Sequence, residues 1–305
     1  MDPLRADDAD DAADAAEATA APALAVTGAT GWVGGLVAAD LADRGFAQRL
    51  VVRDLARAPE LSGAVAVRSS YGDPEAARTA LAGVSTLFMV SASESETRRA
   101  EHLVFVDAAA DAGVDHVVYL SFVGAAPDAT FTLARDHHAT EEAIRESGMD
   151  WTFLRDNLYL EFIEGMAGAD GVIRGPAGDG RAAVVSHPDV ARAVVAVLRD
   201  VHSHRGATYD LTGPESLSAA EMAATISEVT GRDIRFHDET VEEAYRSRAA
   251  YAAPDWQVDA WVSTYTAIRA GELDEVTDAV ERLTGRPPLS LRDHLTAERQ
   301  QPGRS

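Results

Sequence analysis

Three evenly spaced glycines, Gly28, Gly31 and Gly34, stand between an apolar run and a helical pattern. Glycine at the first position permits a tight turn, the second lets backbone amides approach a pyrophosphate, and the third lets a helix pack closely on a strand. The free N–H groups at the start of that helix attract a phosphate. A glycine triplet alone could be a simple strand-to-helix turn, but its flanking patterns favour a dinucleotide site. Its expected contact residues are Gly28, Thr30, Gly31, Trp32, Val33 and Gly34.

The residue that ends the second β-rich run indicates which dinucleotide binds. An acidic residue there would bind the ribose 2′-hydroxyl, whereas an arginine accommodates a 2′-phosphate. This chain has Arg53 at that point, and Arg57 is near enough to assist. A solvated charge at the end of a strand is the alternative for Arg53. The sequence therefore predicts NADP as the cofactor, with NADPH preferred over NADH.

Three side chains, Ser121, His137 and Tyr159, could orient and protonate an acceptor. The Ser121 hydroxyl could bind a substrate oxygen, and the Tyr159 phenol could line an aromatic pocket or donate its proton. The imidazole of His137 titrates near neutral pH, so it could supply a proton or bind the nicotinamide ribose. Glu141, one helical turn later, could orient that imidazole. The structural alternatives are a loop cap for Ser121, a solvated helix start for His137 with His138, and core packing for Tyr159.

Short β-rich runs alternate with helical patterns between residues 23 and 154. The predicted strands are Ala23 to Thr27, Leu50 to Val52, Val65 to Val67, Thr86 to Val90, Val117 to Leu120 and Trp151 to Leu154, with helices at 34–44, 74–82, 98–112 and 134–147. Because parallel strands need crossover connections, this alternation predicts an α/β fold with a Rossmann-type doubly wound parallel sheet. Ligands lie beyond the carboxyl ends of such strands, so Ser91 is expected to face the cofactor.

The alternation of strand and helix patterns becomes less regular after Trp151, where segments rich in glycine and proline, such as 165–180, interrupt it. We expect a Rossmann domain over 22–156 and a smaller C-terminal α/β lobe over 157–297, with some strands returning to the main sheet. Helices are predicted at 186–199, 218–230 and 276–283. The acidic, alanine-rich residues 1–21 predict a disordered tail, and residues 298–305 a flexible C-terminus.

The composition excludes several kinds of chemistry and partner. A net charge of −23 without a basic block disfavours nucleic acid and membrane surfaces. The chain has no cysteine and no lysine, and all 27 basic residues are arginine, which excludes thiolate and Schiff-base chemistry. No metal site is expected, because adjacent histidines on a helix point in different directions. The chain has no secretory signal or spanning segment, so the sequence predicts a cytoplasmic protein, monomeric or homodimeric.

Several blocks of sequence, in the right order, resemble one family. The chain resembles the NmrA-like group of atypical short-chain dehydrogenase/reductases, and within it the type 2 NAD(P)H:quinone oxidoreductase branch. The blocks that carry the resemblance are TGATGWVGG at 27–35, VVRD at 51–54, SAS at 91–93, AADAGVDHVVYLS at 109–121, HHATEEAIRESGMDWTFLRDNLYLEF at 137–162, HPDVARAVVAVL at 187–198 and YDLTGPESLSAAEMA at 209–223.

The resemblance implies an NADP(H)-binding protein that takes a small molecule into a cleft between its two parts. It places Tyr159 beside the nicotinamide, together with Asn157, whose amide can bind a carboxamide. Histidine occupies the position of His137 in the quinone reductase branch as well. The hypothesis is hydride transfer from NADPH to a small conjugated or aromatic acceptor such as a quinone, oriented and protonated by Ser121, His137 and Tyr159. The alternatives are a non-catalytic NADP(H)-sensing regulator, and a reductase or isomerase of one secondary metabolite.

Two departures from the family pattern bear on this hypothesis. The YxxxK pair of short-chain dehydrogenases is missing because the chain has no lysine. Ser70 precedes Tyr71 where relatives often carry an aspartate near the adenine, and we count both among the cofactor contacts. Three aromatic residues farther along are expected to be packing or lid residues of the second lobe: Trp256, Trp261 and Tyr265.

Overall fold

The computed structural model describes residues 21–300, which contain a large parallel sheet with helices on both faces. The strands are β1 Leu24–Thr27, β2 Gln48–Val52, β3 Ala64–Arg68, β4 Thr86–Val90, β5 His116–Phe122, β6 Asp150–Asp156, β7 Val172–Gly175, β8 Arg181–Ala182, β9 Ala207–Leu211, β10 Leu217–Ser218 and β11 Arg235–Asp238. Seven of them form the main sheet in the order β3-β2-β1-β4-β5-β6-β9, and every neighbouring pair is parallel. The predicted α/β class with a doubly wound parallel sheet is confirmed.

The helices supply the crossovers and the outer layers. They are α1 Trp32–Asp43, α2 Pro74–Leu81, α3 Arg98–Asp111, α4 Thr132–Glu146, α5 Leu160–Ile163, α6 His187–Arg199, α7 Ala219–Thr230, α8 Val241–Arg248, α9 Asp255–Ala270, α10 Ala279–Thr284 and α11 Leu291–Gln300. Their starts follow local chemistry: the Ser186 hydroxyl caps α6, and Ser218 forms a capping box with Glu221 at α7. No helix within residues 21–300 is long and apolar enough to cross a bilayer.

The direction of the chain reverses beside β1. After β1 the chain moves outward through β2 to β3, then returns to place β4 on the other side of β1 and continues to β5 and β6. Two neighbouring connections therefore leave the sheet in opposite directions, and a crevice opens at the carboxyl ends of β1 and β4. In doubly wound sheets this switch point is where ligands bind.

The chain after residue 156 forms a lobe and also rejoins the main sheet. Strand β9 pairs with β6, and α6 packs on α1 through an apolar cluster that includes Val37 and Val194. The lobe itself contains two short strand pairs, β7 with β11 and β8 with β10, around a core that includes Met222 and Tyr265. The predicted lobe of 157–297 is thus interleaved with the Rossmann layers.

Both predicted termini fall largely outside the described residues. Residues 1–20 of the predicted disordered tail are not described, and residue 21 is the first that is. Residues 301–305 of the predicted flexible C-terminus lie outside as well, whereas residues 298–300 form the end of α11.

A buried ion pair connects the end of α8 to the rest of the lobe. The Arg248 guanidinium lies 3.0 Å from the Glu239 carboxylate, and the two side chains are 9% and 4% exposed. Arg248 also donates to the Arg174 carbonyl and lies over the Tyr265 ring, 5.3 Å from its centroid. Removing one charge of such a pair strands the other in a medium that solvates it poorly.

We therefore expect Glu239→Ala to lower the free energy of unfolding by about 3 to 5 kcal/mol, because it leaves the Arg248 guanidinium buried without a counter-charge. Urea unfolding followed by circular dichroism measures the change. The control is Glu228→Ala, which breaks the exposed Arg292–Glu228 pair and should barely move the unfolding midpoint. Equal losses in the two variants would show that burial of the Glu239 pair carries no special cost.

Candidate functional site

A cleft of about 570 Å³ opens at the carboxyl ends of β1, β2 and β4. It coincides with the switch point of the sheet, where a dinucleotide is expected. Of the predicted site residues, the structure brings eleven to the cleft lining: Gly28, Thr30, Gly31, Trp32, Val33, Gly34, Arg53, Ser70, Tyr71, Ser91 and Tyr159. The other three, Ser121, His137 and Asn157, lie elsewhere.

The glycine turn brings backbone amides to the floor of the cleft. Gly28 has φ +67°, a left-handed conformation that favours glycine, and a Cβ at this position would lie 2.9 Å from Cβ of Val90. A Cβ at Gly34 would lie 2.3 Å from the Gly28 carbonyl oxygen, so only glycine lets α1 approach β1 this closely. No side chain caps the first turn of α1, and that turn contains no acidic residue. Its amides are therefore available to a pyrophosphate.

Two arginines give the β2 end of the cleft a positive charge. Arg53 follows β2 directly and Arg57 lies one short turn later, and both are exposed cleft residues. Within residues 21–300 neither guanidinium makes a hydrogen bond or an ion pair, so both can bind a phosphate. Guanidinium groups bind phosphate oxygens through paired N–H donors.

Tyr71 closes the cleft between the arginines and the sheet. Its hydroxyl lies 2.7 Å from the Thr27 hydroxyl and 2.6 Å from the Val90 carbonyl oxygen, and its ring stacks on Phe105 at 4.2 Å between centroids. Burial raises the pKa of Tyr71, so the phenol stays neutral. Nearby, the Ser91 hydroxyl donates to the Leu120 carbonyl at 2.9 Å. These bonds connect the ends of β1, β4 and β5 beneath the cleft.

The end of the cleft opposite the arginines is aromatic. Trp32, 72% exposed, stacks on His187 with 5.8 Å between centroids and 6° between planes. The Tyr159 ring lies 4.0 Å from the His187 ring, and Phe162 lies 5.5 Å from it. We call Trp32, Tyr159, Phe162 and His187 the aromatic wall. All four side chains line the cleft.

His137 lies behind the cleft, in a buried polar network. Its Nε2 accepts from Nη2 of Arg98 at 2.7 Å, and its Nδ1 lies 3.0 Å from the Tyr119 hydroxyl. Burial, followed by the charge of Arg98, lowers the pKa of His137 well below its usual value. The imidazole is therefore neutral at physiological pH, and both of its nitrogens are engaged within the protein.

Ser121 and Glu141 belong to a second buried cluster. The Ser121 hydroxyl donates to Glu141 at 2.6 Å, and Arg155 binds the same carboxylate through two nitrogens at 2.8 and 2.7 Å. Arg145 adds a contact at 3.1 Å. Glu141 thus pairs with Ser121 and two arginines, and it does not form the predicted contact with His137. The cluster joins α4 to β5 and β6.

Asn157 has both ends of its amide occupied. The side-chain nitrogen donates to the Leu273 carbonyl at 3.0 Å, and the side-chain oxygen accepts from the Leu158 amide at 2.7 Å. Two residues later the chain turns outward, and Tyr159 reaches the cleft with its hydroxyl donating to Oδ2 of Asp156. Asn157 therefore fixes the loop that presents Tyr159.

Sequence reasoning missed Phe162 and His187, two members of the aromatic wall. Phe162 and His187 both lie within the sequence blocks that carry the family resemblance. His187 is at the predicted start of a helix, and helix capping was a sufficient explanation for the residues there. Trp256, Trp261 and Tyr265 are not in the cleft lining. A Cβ at Gly175 would lie 2.3 Å from the ring of Tyr265, which is buried in the lobe core, as in the packing alternative. Residues 21–300 hold no group of three or more His, Cys, Asp or Glu placed to bind a metal.

Comparison with known proteins supports the dinucleotide site. A sequence profile described as NAD(P)H-binding matches residues 28–201. The chain is 37% identical over 271 residues to (4-alkanoyl-5-oxo-2,5-dihydrofuran-3-yl)methyl phosphate reductase of Streptomyces griseus, covering 86% of this chain and 92% of the relative. It is 32% identical over 274 residues to NAD(P)H azoreductase of Xenophilus azovorans, covering 87% and 94%.

A solved structure shows the same architecture with a dinucleotide bound. The NADPH-dependent quinone oxidoreductase of Escherichia coli, in complex with NADPH, superposes with a TM-score of 0.83 at 28% identity, covering 90% of this chain and 99% of that one. The predicted kinship with NmrA-like proteins near the type 2 quinone oxidoreductases is confirmed. The chain belongs to the NAD(P)H-binding family and is an NAD(P)H-dependent oxidoreductase.

Proposed function

We propose that this protein transfers a hydride from NADPH to a small, planar, uncharged acceptor such as a quinone. The observation that carries the proposal is the aromatic wall, which continues the dinucleotide cleft at the end away from Arg53. A flat conjugated ring can stack on such side chains, and stacking needs no specific hydrogen bond. The bound nicotinamide supplies the hydride, so the protein has to bind, orient and protonate the acceptor.

The order of the strands sets the direction of the cofactor. With its 2′-phosphate at Arg53 beyond β2 and its pyrophosphate at the turn beyond β1, NADPH must extend towards β4, β5 and β6. Its nicotinamide then lies near Ser91 and Tyr159. Ser121 and His137 are buried behind this point, so we assign the protonation to Tyr159 and give the other two a structural role.

The charges of the cleft favour an uncharged acceptor. The Streptomyces relative is named as a reductase of a phosphate ester, and arginine side chains are well suited to bind a phosphate group. Both arginines among the described cleft residues, Arg53 and Arg57, lie at the opposite end. His187 is at the aromatic end, but its Nδ1 lies 3.2 Å from the Glu161 carboxylate. A quinone or an azo compound suits this end better than a phosphate ester.

A panel of acceptors tests the proposal. NADPH oxidation, followed by absorbance, should be fast with p-benzoquinone and an azo dye and slow with a phosphate-bearing dihydrofuranone. Turnover of the phosphate ester alone would reject the proposed acceptor class in favour of a dedicated metabolite reductase. Firm NADPH binding with no turnover of any acceptor would reject it too.

Arg53→Ala should raise the KM for NADPH by about tenfold, because a charge-assisted contact to the 2′-phosphate is lost. The KM for NADH, which lacks that phosphate, should hardly change. Steady-state kinetics with both cofactors measures the effect. Arg68→Ala is the matched control, since Arg68 is exposed at the end of neighbouring β3 and outside the cleft lining. A parallel rise for NADH would mean that Arg53 does not select the phosphate.

Phe162→Ala should raise the KM for p-benzoquinone by about 3- to 10-fold while leaving the NADPH dissociation constant unchanged, because one face of the stacking site is removed. Phe162 is 53% exposed, so the substitution should not disturb the core. Tyr251→Ala is the control, because Tyr251 is an exposed aromatic residue outside the cleft lining. An unchanged acceptor KM in Phe162→Ala would argue against stacking at the aromatic wall.

A further inference from the structure

We propose that Asp156 is a positioning residue that holds the Tyr159 hydroxyl at the cleft and replaces the proton that Tyr159 gives to the acceptor. The inference deepens the proposed function and rests on it, because it concerns how the acceptor of that reaction is protonated. The chain has no lysine, so the partner of Tyr159 has to be another titratable group.

The geometry places Asp156 directly behind Tyr159. Asp156 is the last residue of β6, and it is 6% exposed. Its Oδ2 accepts from the hydroxyl of Tyr159, whose side chain lines the cleft. Its backbone carbonyl accepts from the Val123 amide at 2.8 Å, which fixes the end of the strand. The carboxyl of Asp156 therefore contacts the phenol of a residue that lines the cleft.

The surroundings of Asp156 contain few charges. Its partners in the sheet, Phe122 on β5 and Leu211 on β9, are apolar. From α3 the guanidinium of Arg98 acts on it, and from α4 the neutral His137 binds Arg98. Burial raises the pKa of Asp156 to about 7, and the Tyr159 hydrogen bond and Arg98 oppose that rise. The carboxyl can therefore exchange a proton near neutral pH.

The ionised form of Tyr159 is strongly disfavoured. Burial, together with the nearby Asp156, raises the pKa of Tyr159 well above its usual value, so a phenolate there is unstable. Proton donation by the phenol must be matched by proton return from behind. The Asp156 carboxyl contacts the Tyr159 hydroxyl, and the chain has no lysine that could return the proton.

The protons move in the following order. A quinone becomes a hydroquinone by taking up one hydride and one proton. When Asp156 is protonated, its carboxyl donates to the phenol oxygen, and the phenol proton is free to turn to the acceptor. The Tyr159 O–H bond breaks as the O–H bond of the acceptor forms, and the Asp156 O–H bond breaks as the Tyr159 O–H bond is restored. The Asp156 carboxylate then takes a proton from water, and no further oxidant or reductant is needed.

The first test is the pH dependence of kcat/KM for p-benzoquinone. In the wild type it should be level below about pH 7 and fall at higher pH, because the protonated form of Asp156 is the active one. Asp156→Asn and Tyr159→Phe should each lose about 10- to 100-fold and lose the inflection, and the double variant should be no worse than either. Asp210→Asn, which removes a carboxyl on neighbouring β9 whose pKa burial also raises, should keep the wild-type profile.

Two kinetic outcomes would overturn the proposal. One is a wild-type pH profile retained in Asp156→Asn, and the other is a double variant whose loss is the product of the two single losses. Unfolding curves and NADPH affinity, measured on every variant, separate these effects from loss of the fold.

A second readout does not need turnover. In protein labelled with ¹³C at aspartate carboxyls, the resonance absent from Asp156→Asn should titrate at about pH 7. Its midpoint should rise in Tyr159→Phe, because the hydrogen bond that favours the carboxylate is gone. A midpoint that does not move would overturn the pairing even if quinones are reduced. Conversely, a moving midpoint in an enzyme inert towards quinones would count against the proposed acceptor and leave the pair intact.

Discussion

The close approach of α1 to β1 is the constraint on which the rest of the site depends. The Gly28 carbonyl occupies the space where any side chain at position 34 would begin, so the helix can sit this low only above glycine. The approach aims the first amides of α1 into the crevice. It also sets the position of α6, which packs on α1 and carries His187 at its first turn. The glycine turn and the aromatic wall are therefore parts of one packed unit.

Local sequence signals were enough to find residues that line the cleft at the ends of β1, β2 and β4. The glycine spacing, the arginine after β2 and the serine after β4 all depend on where a strand ends, and periodicity located those ends closely. These residues line the cleft because the carboxyl ends of parallel strands lie at the same edge of the sheet. The capping signals at Ser186 and Ser218 likewise predicted the starts of two helices of the second half.

The aromatic end of the cleft could not be derived in the same way. β5 was predicted to stop at Leu120, but it continues to Phe122, so Ser121 lies inside the strand. Successive side chains of a strand face opposite sides; Leu120 lines the cleft, and Ser121 turns to Glu141 on α4. His137 faces the sheet because α4 packs on the sheet. A helical pattern in the sequence does not predict which buried polar side chains will form hydrogen bonds with one another.

The helix α9 was missed for a related reason. Its first residues carry no capping side chain, and its buried positions include small and polar residues such as Ala260 and Ser263. The apolar residues of such a face recur with only weak helical periodicity, so the sequence pattern does not indicate the helix. Its packing on neighbouring elements stabilises it. The capping box of Thr240 with Glu243 could have revealed α8, whose buried residues are only Ala244 and Arg248.

The return of β9 to the edge of β6 has a consequence for how such a protein can diversify. A chain cut after Asp156 would leave β6 without its partner strand and α1 without its outer cover, so we expect the two parts of the chain to change together and not as separate modules. The short stretch between β6 and β7, which carries Tyr159 and Phe162, is held by a strand at each end, so substitutions there can alter the aromatic wall while the paired strands stay in place.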